Sequence, residues 1–179
     1  MLRKKKINKD YTLLFTPHFP YNTLPKSSNK RALLGIGGNM GDVVRRFEHL
    51  FWYLKRAAFI HVQETTPILK NPPFGYKEQD DFYNAVLFIE TPLTPKRLLS
   101  YVLRIERLFG RKRSFKDAPR TLDIDILFYE NVSMDTKQLT LPHPEWKNRS
   151  SVLIPLAYIS PEKRRFFRKE MMRKGKIDD

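Results

Sequence analysis

The chain has 179 residues, enough for one domain with a full hydrophobic core. It contains no cysteine, which excludes a disulfide framework, a thiolate metal centre and a cysteine nucleophile. Thirty-four Lys and Arg against nineteen Asp and Glu give a formal charge of +15, a balance that attracts nucleic acid, acidic lipid or nucleotide phosphates.

Residues 1–30 are rich in Lys, Asn, Pro and Ser and hold no sustained period, so they read as a basic N-terminal extension, a loosely attached arm. Lys9 and Asp10 interrupt the opening before any apolar run reaches signal-peptide length, and no stretch approaches the ~20 apolar residues of a membrane span. A cytoplasmic protein with no membrane partner is expected. Residues 162–179 read as a second basic tail, which leaves residues 31–161 as the domain.

That domain begins with a short apolar strand, Ala32 to Ile36, ending in glycines. Asp42 is placed to cap an amphipathic helix from Val43 to Arg56, with Phe47, Leu50, Phe51 and Leu54 on its buried side. Phe59 to Thr66 reads as a strand, Pro67 to Asp81 as a proline-interrupted loop, and Phe82 to Glu90 as the next strand. Thr94 and Pro95 supply an N-cap and a first-turn proline for a helix that runs to about Phe109 and stops at Gly110. A basic loop, Arg111 to Arg120, leads into a strand over PRTLDIDIL, residues 119–127. The order β-α-β-β-α-β with a C-terminal appendage predicts an α+β, ferredoxin-like fold, an antiparallel sheet with helices packed on it.

Alternation along PRTLDIDIL sends Leu122, Ile124 and Ile126 to one face and Asp123 and Asp125 to the other, with the two aspartate Cα atoms about 6–7 Å apart. Adjacent carboxylates repel and Asp is a poor strand former, so the arrangement costs stability unless a cation lies between them. Magnesium suits such a pair, because it takes hard oxygen ligands and is commonly held by one or two carboxylates plus substrate phosphates. Arg111, Arg113, Lys116 and Arg120 stand just before the pair, and guanidinium forks match phosphate oxygens. The strand DFYNAV repeats the pattern: Phe82 and Asn84 share a face, an aromatic plane beside an amide, suited to a flat heterocycle. The glycine cluster Gly35 to Gly41 fits neither the dinucleotide fingerprint nor the P-loop. His143, between two prolines, can present a proton donor to a phosphate. The sequence has no recognisable Ser-His-Asp motif and no His-Glu-x-x-His.

These segments together, Gly37 to Asp42, Asp81 to Val86, Gly110 to Arg113, Ala118 to Leu127 and Leu141 to Pro144, resemble the 6-hydroxymethyl-7,8-dihydropterin pyrophosphokinase family of folate biosynthesis. The likeness runs from about residue 32 to 161. It implies transfer of pyrophosphate from ATP to 6-hydroxymethyl-7,8-dihydropterin with release of AMP, two magnesium ions, and a monomer with no nucleic-acid partner. By that resemblance Asp123 and Asp125 are metal ligands, and Phe82 stacks on the pterin while Asn84 reads its polar edge. Asn71, Pro72 and Phe74 fall in the pterin-lining loop, Arg111, Arg113 and Arg120 in the catalytic loop, and His143 and Arg149 face the nucleotide.

The chain departs from the family pattern at three places. Ser151 stands where members often carry a Phe that completes a sandwich around the pterin, with Trp146 the candidate replacement. Ala118 replaces a glycine in a loop that lacks the Trp of some relatives, with Phe115 free to cover the site. Gln138 occupies a position where some relatives have Arg. A basic RNA-binding module on the same scaffold is the rival reading, but the chain lacks that module's aromatic strand signature, and Asp123 and Asp125 would repel phosphates.

Overall fold

A computed structural model describes residues 2–26 and 29–171. In chain order its strands and helices are β1 (Arg3–Lys6), β2 (Thr12–Phe15), β3 (Tyr21–Asn22), β4 (Lys30–Gly38), α1 (Val43–Arg56), β5 (His61–Thr65), β6 (Ile68–Asn71), β7 (Phe82–Thr91), α2 (Pro95–Leu108), β8 (Asp123–Tyr129), β9 (Met134–Asp135), β10 (Thr140–Leu141), α3 (Ser150–Leu156) and α4 (Pro161–Arg164).

The expected βαββαβ core is β4-α1-β5-β7-α2-β8. In the sheet β8, β4 and β7 lie side by side, all antiparallel, and β5 pairs the far edge of β7. Asp42 caps α1 by accepting the Arg45 N–H, and Thr94 caps α2 by accepting the Arg97 N–H. Phe47, Leu50, Phe51 and Leu54 of α1, with Leu98, Val102 and Ile105 of α2, pack on one face of the sheet against Leu34, Ile36, Leu87, Ile124 and Ile126. The opposite face carries a smaller core in which Leu33, Val86, Phe88 and Phe128 meet Leu156 and Phe167 of the C-terminal region. A bulge in the β4–β8 pairing between Leu33 and Leu34 lets consecutive residues Leu127 and Phe128 both serve this second core.

The N-terminal reading needs correction. Residues 3–22 are not a loose arm: β1 pairs β2, β2 pairs β6, and β3 pairs β5, which widens the sheet. Leu13, Leu14 and Phe19 are buried, with the Phe19 ring centroid 5.9 Å from Phe47 and 6.4 Å from Phe51. Glu48 of α1 ties down the turn, accepting from the Thr16 hydroxyl at 2.7 Å and the His18 N–H at 3.0 Å, with its other oxygen 2.6 Å from His18 Nδ1. The partner strand β6 lies inside the segment read as a loop, because its four residues between prolines carry no period of their own.

The basic C-terminal tail is corrected in the same way as far as residue 171. Phe167 is fully buried against Phe88 and Phe128, and Glu170 is buried as well. Residues 172–179 lie outside the described residues. No described helix is long and apolar enough to cross a membrane.

Replacing Phe19 by Ala removes a ring packed between two others, which typically costs about 3–5 kcal/mol. The melting temperature should fall by roughly 6–20 °C. A change of under about 2 °C in a thermal melt would return this segment to the status of an arm.

Candidate active site

The cleft lies on the sheet face away from α1 and α2, over the ends of β4, β7 and β8, and is walled by α3 and the loops before β7 and β8. Alternation on β7 turns Phe82, Asn84 and Val86 into it, and on β8 turns Asp123, Asp125 and Leu127 into it. Between them runs β4, whose Gly35 and Gly37 present only backbone. A Cβ on Gly37 would stand 2.7 Å from Asn84 Oδ1, and one on Gly38 would stand 2.5 Å from the Thr121 carbonyl oxygen. The glycine cluster is therefore a packing requirement that lets the two functional strands face one another.

Asn84 Nδ2 donates to Asn71 Oδ1 at 2.6 Å, and Asn71 Nδ2 donates to the Pro72 carbonyl at 2.9 Å. One chain of bonds thus fixes both amides. Phe82 and the half-exposed Phe74 supply aromatic surface beside them. The Arg120 guanidinium lies 5.2 Å from the Phe82 ring centroid and covers that face.

Both oxygens of Asp123 meet arginine: Oδ1 is 2.8 Å from Arg111 Nη1, and Oδ2 is 3.3 Å from Arg120 Nη1. Arg111 is well buried, and its Nε has no acceptor among the described residues. A buried donor without a partner is costly. Arg111 touches the cleft through its bond to Asp123, while its side chain lines the adjoining pocket of the basic loop, with Arg113 and Arg120. Arg149 lines the same cleft and acts electrostatically on Asp125. His143 Nδ1 accepts the Glu145 N–H at 3.1 Å, so Nε2 is left to carry the ring hydrogen, 3.9 Å from Asp125 Oδ2. Arg113 is elsewhere: mostly exposed, it pairs with Glu106 at 3.4 Å and does not line the cleft.

Three features lay beyond the sequence reading. Glu106 is buried under the strand, accepting the Ile124 N–H at 2.8 Å. Its only signal is a carboxylate beside Ile105 on the apolar side of an amphipathic helix. Asn39 accepts the Arg120 N–H at 2.9 Å and donates to Gln79 Oε1 at 2.9 Å, and Gln79 Nε2 donates to the Asp117 carbonyl at 2.8 Å. The relay ties the two loops flanking the cleft to the turn after β4. Phe115 meets Tyr76 edge-on, 5.3 Å between centroids, across those loops. Trp146 does not replace the missing aromatic, because it packs into the second core 5.2 Å from Phe128, and Ser151 and Val152 line the cleft instead.

Burial raises the Glu106 carboxyl above its ordinary value, against the Ile124 N–H, and Asp123 adds to the rise. Asp125 is pushed from 3.8 to about 7, first by its low-dielectric surroundings and then by the charges of Asp123 and Glu106. The cleft mouth leaves 41% of its side chain open, so hydration moderates this rise. An acid whose value rises on folding contributes stability below its unfolded value and loses it as pH climbs towards about 7. In the ligand-free protein a carbon-detected NMR titration should find Asp125 ionising well above 5 and moving down in Glu106→Gln. Ionisation at an ordinary carboxylate pH would refute this account of the charge balance.

Comparison with known proteins identifies the family. The family model described as 7,8-dihydro-6-hydroxymethylpterin-pyrophosphokinase matches residues 33–161. A 2-amino-4-hydroxy-6-hydroxymethyldihydropteridine pyrophosphokinase of Helicobacter pylori is 45% identical over 131 residues, 72% of this chain and 80% of that protein. The Campylobacter jejuni protein of the same name is 41% identical over 145 residues, 81% of this chain and 91% of its own. The folic acid synthesis protein FOL1 of Dictyostelium discoideum is 36% identical over 135 residues, 75% of this chain and 20% of its own length. The chain belongs to the 7,8-dihydro-6-hydroxymethylpterin-pyrophosphokinase family, and its reaction is pyrophosphoryl transfer from ATP in folate biosynthesis.

Proposed function

We propose that this cleft carries out the transfer with Asp123 and Asp125 holding magnesium, two ions in the working complex, against the ATP phosphates. The observation that carries this is the pair of carboxylates on one strand face beside Phe82 and Asn84, with Arg111 and Arg120 drawn onto Asp123. The donor set fits the ion. Among the described residues no group of three or more His, Cys, Asp or Glu could hold a metal alone, and magnesium commonly completes its shell with phosphate oxygens and water. Bound there, it would neutralise phosphate charge and orient the triphosphate.

The remaining work falls to the chain's own side chains. Phe82, with Phe74 at the rim, stacks on the pterin ring, and the fixed amides of Asn71 and Asn84 read its polar edge while the Pro72 carbonyl holds Asn71 in place. The substrate hydroxymethyl oxygen attacks the β-phosphorus in line, the bond from that phosphorus to the α,β-bridging oxygen breaks, and AMP departs with that oxygen. Arg111 and Arg120, which hold Asp123 in the ligand-free state, are placed to turn to the phosphates as charge develops, and the unpartnered Arg111 Nε supplies a ready donor. Arg113, on the exposed loop, joins them only when that loop closes. His143 Nε2 and Arg149 face the nucleotide side of Asp125. Four cations along the exposed edge strand β1 oppose pairing with a second copy there, which supports a monomer.

Incubating the protein with ATP, magnesium and 6-hydroxymethyl-7,8-dihydropterin should yield AMP. Asp123→Asn and Asp125→Asn should each lower kcat by at least about 10²-fold, with the melting temperature held or raised in Asp125→Asn and lowered in Asp123→Asn, which leaves Arg111 unpaired. Undiminished turnover in the double variant would sink the assignment. For Phe82→Ala the pterin KM should rise by roughly 10- to 100-fold with the ATP KM little changed, whereas Phe82→Tyr should stay near wild type. An equal rise in both KM values would argue against a pterin-specific role.

A further inference from the structure

On the other side of the sheet, a groove of about 650 Å³ opens between the last turns of α1 and α2. Its walls are aromatic: Trp52 and Tyr53 from α1, Phe59 beyond it, Tyr101 from α2 and Phe109 at the C-cap of α2. Phe59 and Tyr101 lock edge to face at 4.8 Å, as do Tyr53 and Phe109 at 6.1 Å, so the walls are preformed. Trp52, Tyr53 and Phe59 remain between 37% and 44% exposed, more apolar surface than a helix layer needs to show water. None of these residues belongs to the catalytic cleft, which lies on the opposite face.

The charged lining is of one sign. His49, Arg56 and Arg104 border the groove and no Asp or Glu does. Neither Arg56 nor Arg104 has a carboxylate partner among the described residues. The bland account is that these arginines complement the negative C-terminal ends of the two helices. Each end is worth about half a charge, and Lys55 and Arg107 already stand in those last turns. Net positive charge therefore remains over an apolar floor. Burial, with Tyr53 adding to it, pushes the Tyr101 hydroxyl up to about 12, so it stays a neutral hydrogen-bond donor.

We propose that this groove is a second binding site, for a small flat aromatic molecule of one or two rings that carries a carboxylate or sulfonate. The rings would enter among Trp52, Phe59 and Tyr101, with the anion between Arg56 and Arg104. A nucleic acid fits less well, since the wall rings are turned edge to face and offer few open faces for successive bases. The site does not depend on the pyrophosphokinase chemistry and should be indifferent to ATP.

A matched pair of probes tests this on the full chain: 8-anilinonaphthalene-1-sulfonate and its uncharged analogue N-phenyl-1-naphthylamine. The sulfonate should bind saturably at one site, at least about tenfold tighter than the neutral probe, and lose at least about tenfold in R56Q/R104Q while the neutral probe changes little. The chain has two tryptophans. The indole N–H signal of Trp52 should move on titration while that of Trp146, in the other core, stays put. Saturating ATP should not displace the probe, and R56Q/R104Q should retain AMP production, which shows a folded variant and separates this test from that of the cleft. Equal binding of the two probes, movement of Trp146 instead of Trp52, or no effect of R56Q/R104Q overturns the proposal. Displacement by a twelve-nucleotide single-stranded RNA, or self-association that closes the groove, would overturn it in favour of those occupants.

Discussion

Everything in the cleft depends on how β8 is fastened. Leu122, Ile124 and Ile126 are buried against α1 and α2, and strand alternation then leaves Asp123 and Asp125 no direction but the cleft. A slip of one residue would bury two carboxylates in the main core, a cost far larger than any gain in pairing. The hydrophobic effect on one face thus imposes electrostatic tension on the other. Asp125 shows that tension in its raised ionisation, whereas Asp123 is quenched by two guanidinium groups. The ligand-free site holds its own cations beside its carboxylates, where the proposed mechanism puts a metal ion and the substrate phosphates.

That storage explains why the arginines belong on loops. A guanidinium fixed on a strand could neutralise Asp123 permanently but could not leave it. Arg120 is anchored at its backbone by Asn39, so its charged end, which lies over Phe82, can move while its Cα stays in place. Gln79 links the same asparagine to the Asp117 carbonyl, so the arginine loop and the pterin-side loop share one hinge.

The parts legible in the sequence are those encoded within a single element. The α1 helix was readable to its ends because its cap, apolar stripe and terminal basic residues are all local, and the facing of Asp123 with Asp125 and of Phe82 with Asn84 follows from alternation alone. Non-local pairing hid the rest. TLLF at Thr12 and ILKN at Ile68 are each too short to announce a strand, and both are held by pairing with segments distant in the chain, β2 with β6 and β6 with β7. The burial of Trp146 depends on where the second core collects Phe128 and Phe167, which no local pattern reports. Arg113 looked like its neighbours in the loop, yet the buried Glu106, seven residues earlier near the end of α2, pairs with it.

The added N-terminal strands then have a mechanical consequence for the cleft. Strand β6 carries Asn71 at its end, and that residue orients Asn84 by a direct bond. With β7 alone beside it, β6 would be a short edge strand prone to fraying, and the amide pair would fray with it. Pairing with β2 converts β6 into an interior strand, held from both sides, while Phe19 and the Glu48 contacts lock β2 to α1. The segment that looked dispensable by composition therefore stiffens the Asn71–Asn84 pair, the polar floor on which the proposed mechanism has the heterocycle read, and does so from the side of the sheet away from Asp123 and Asp125.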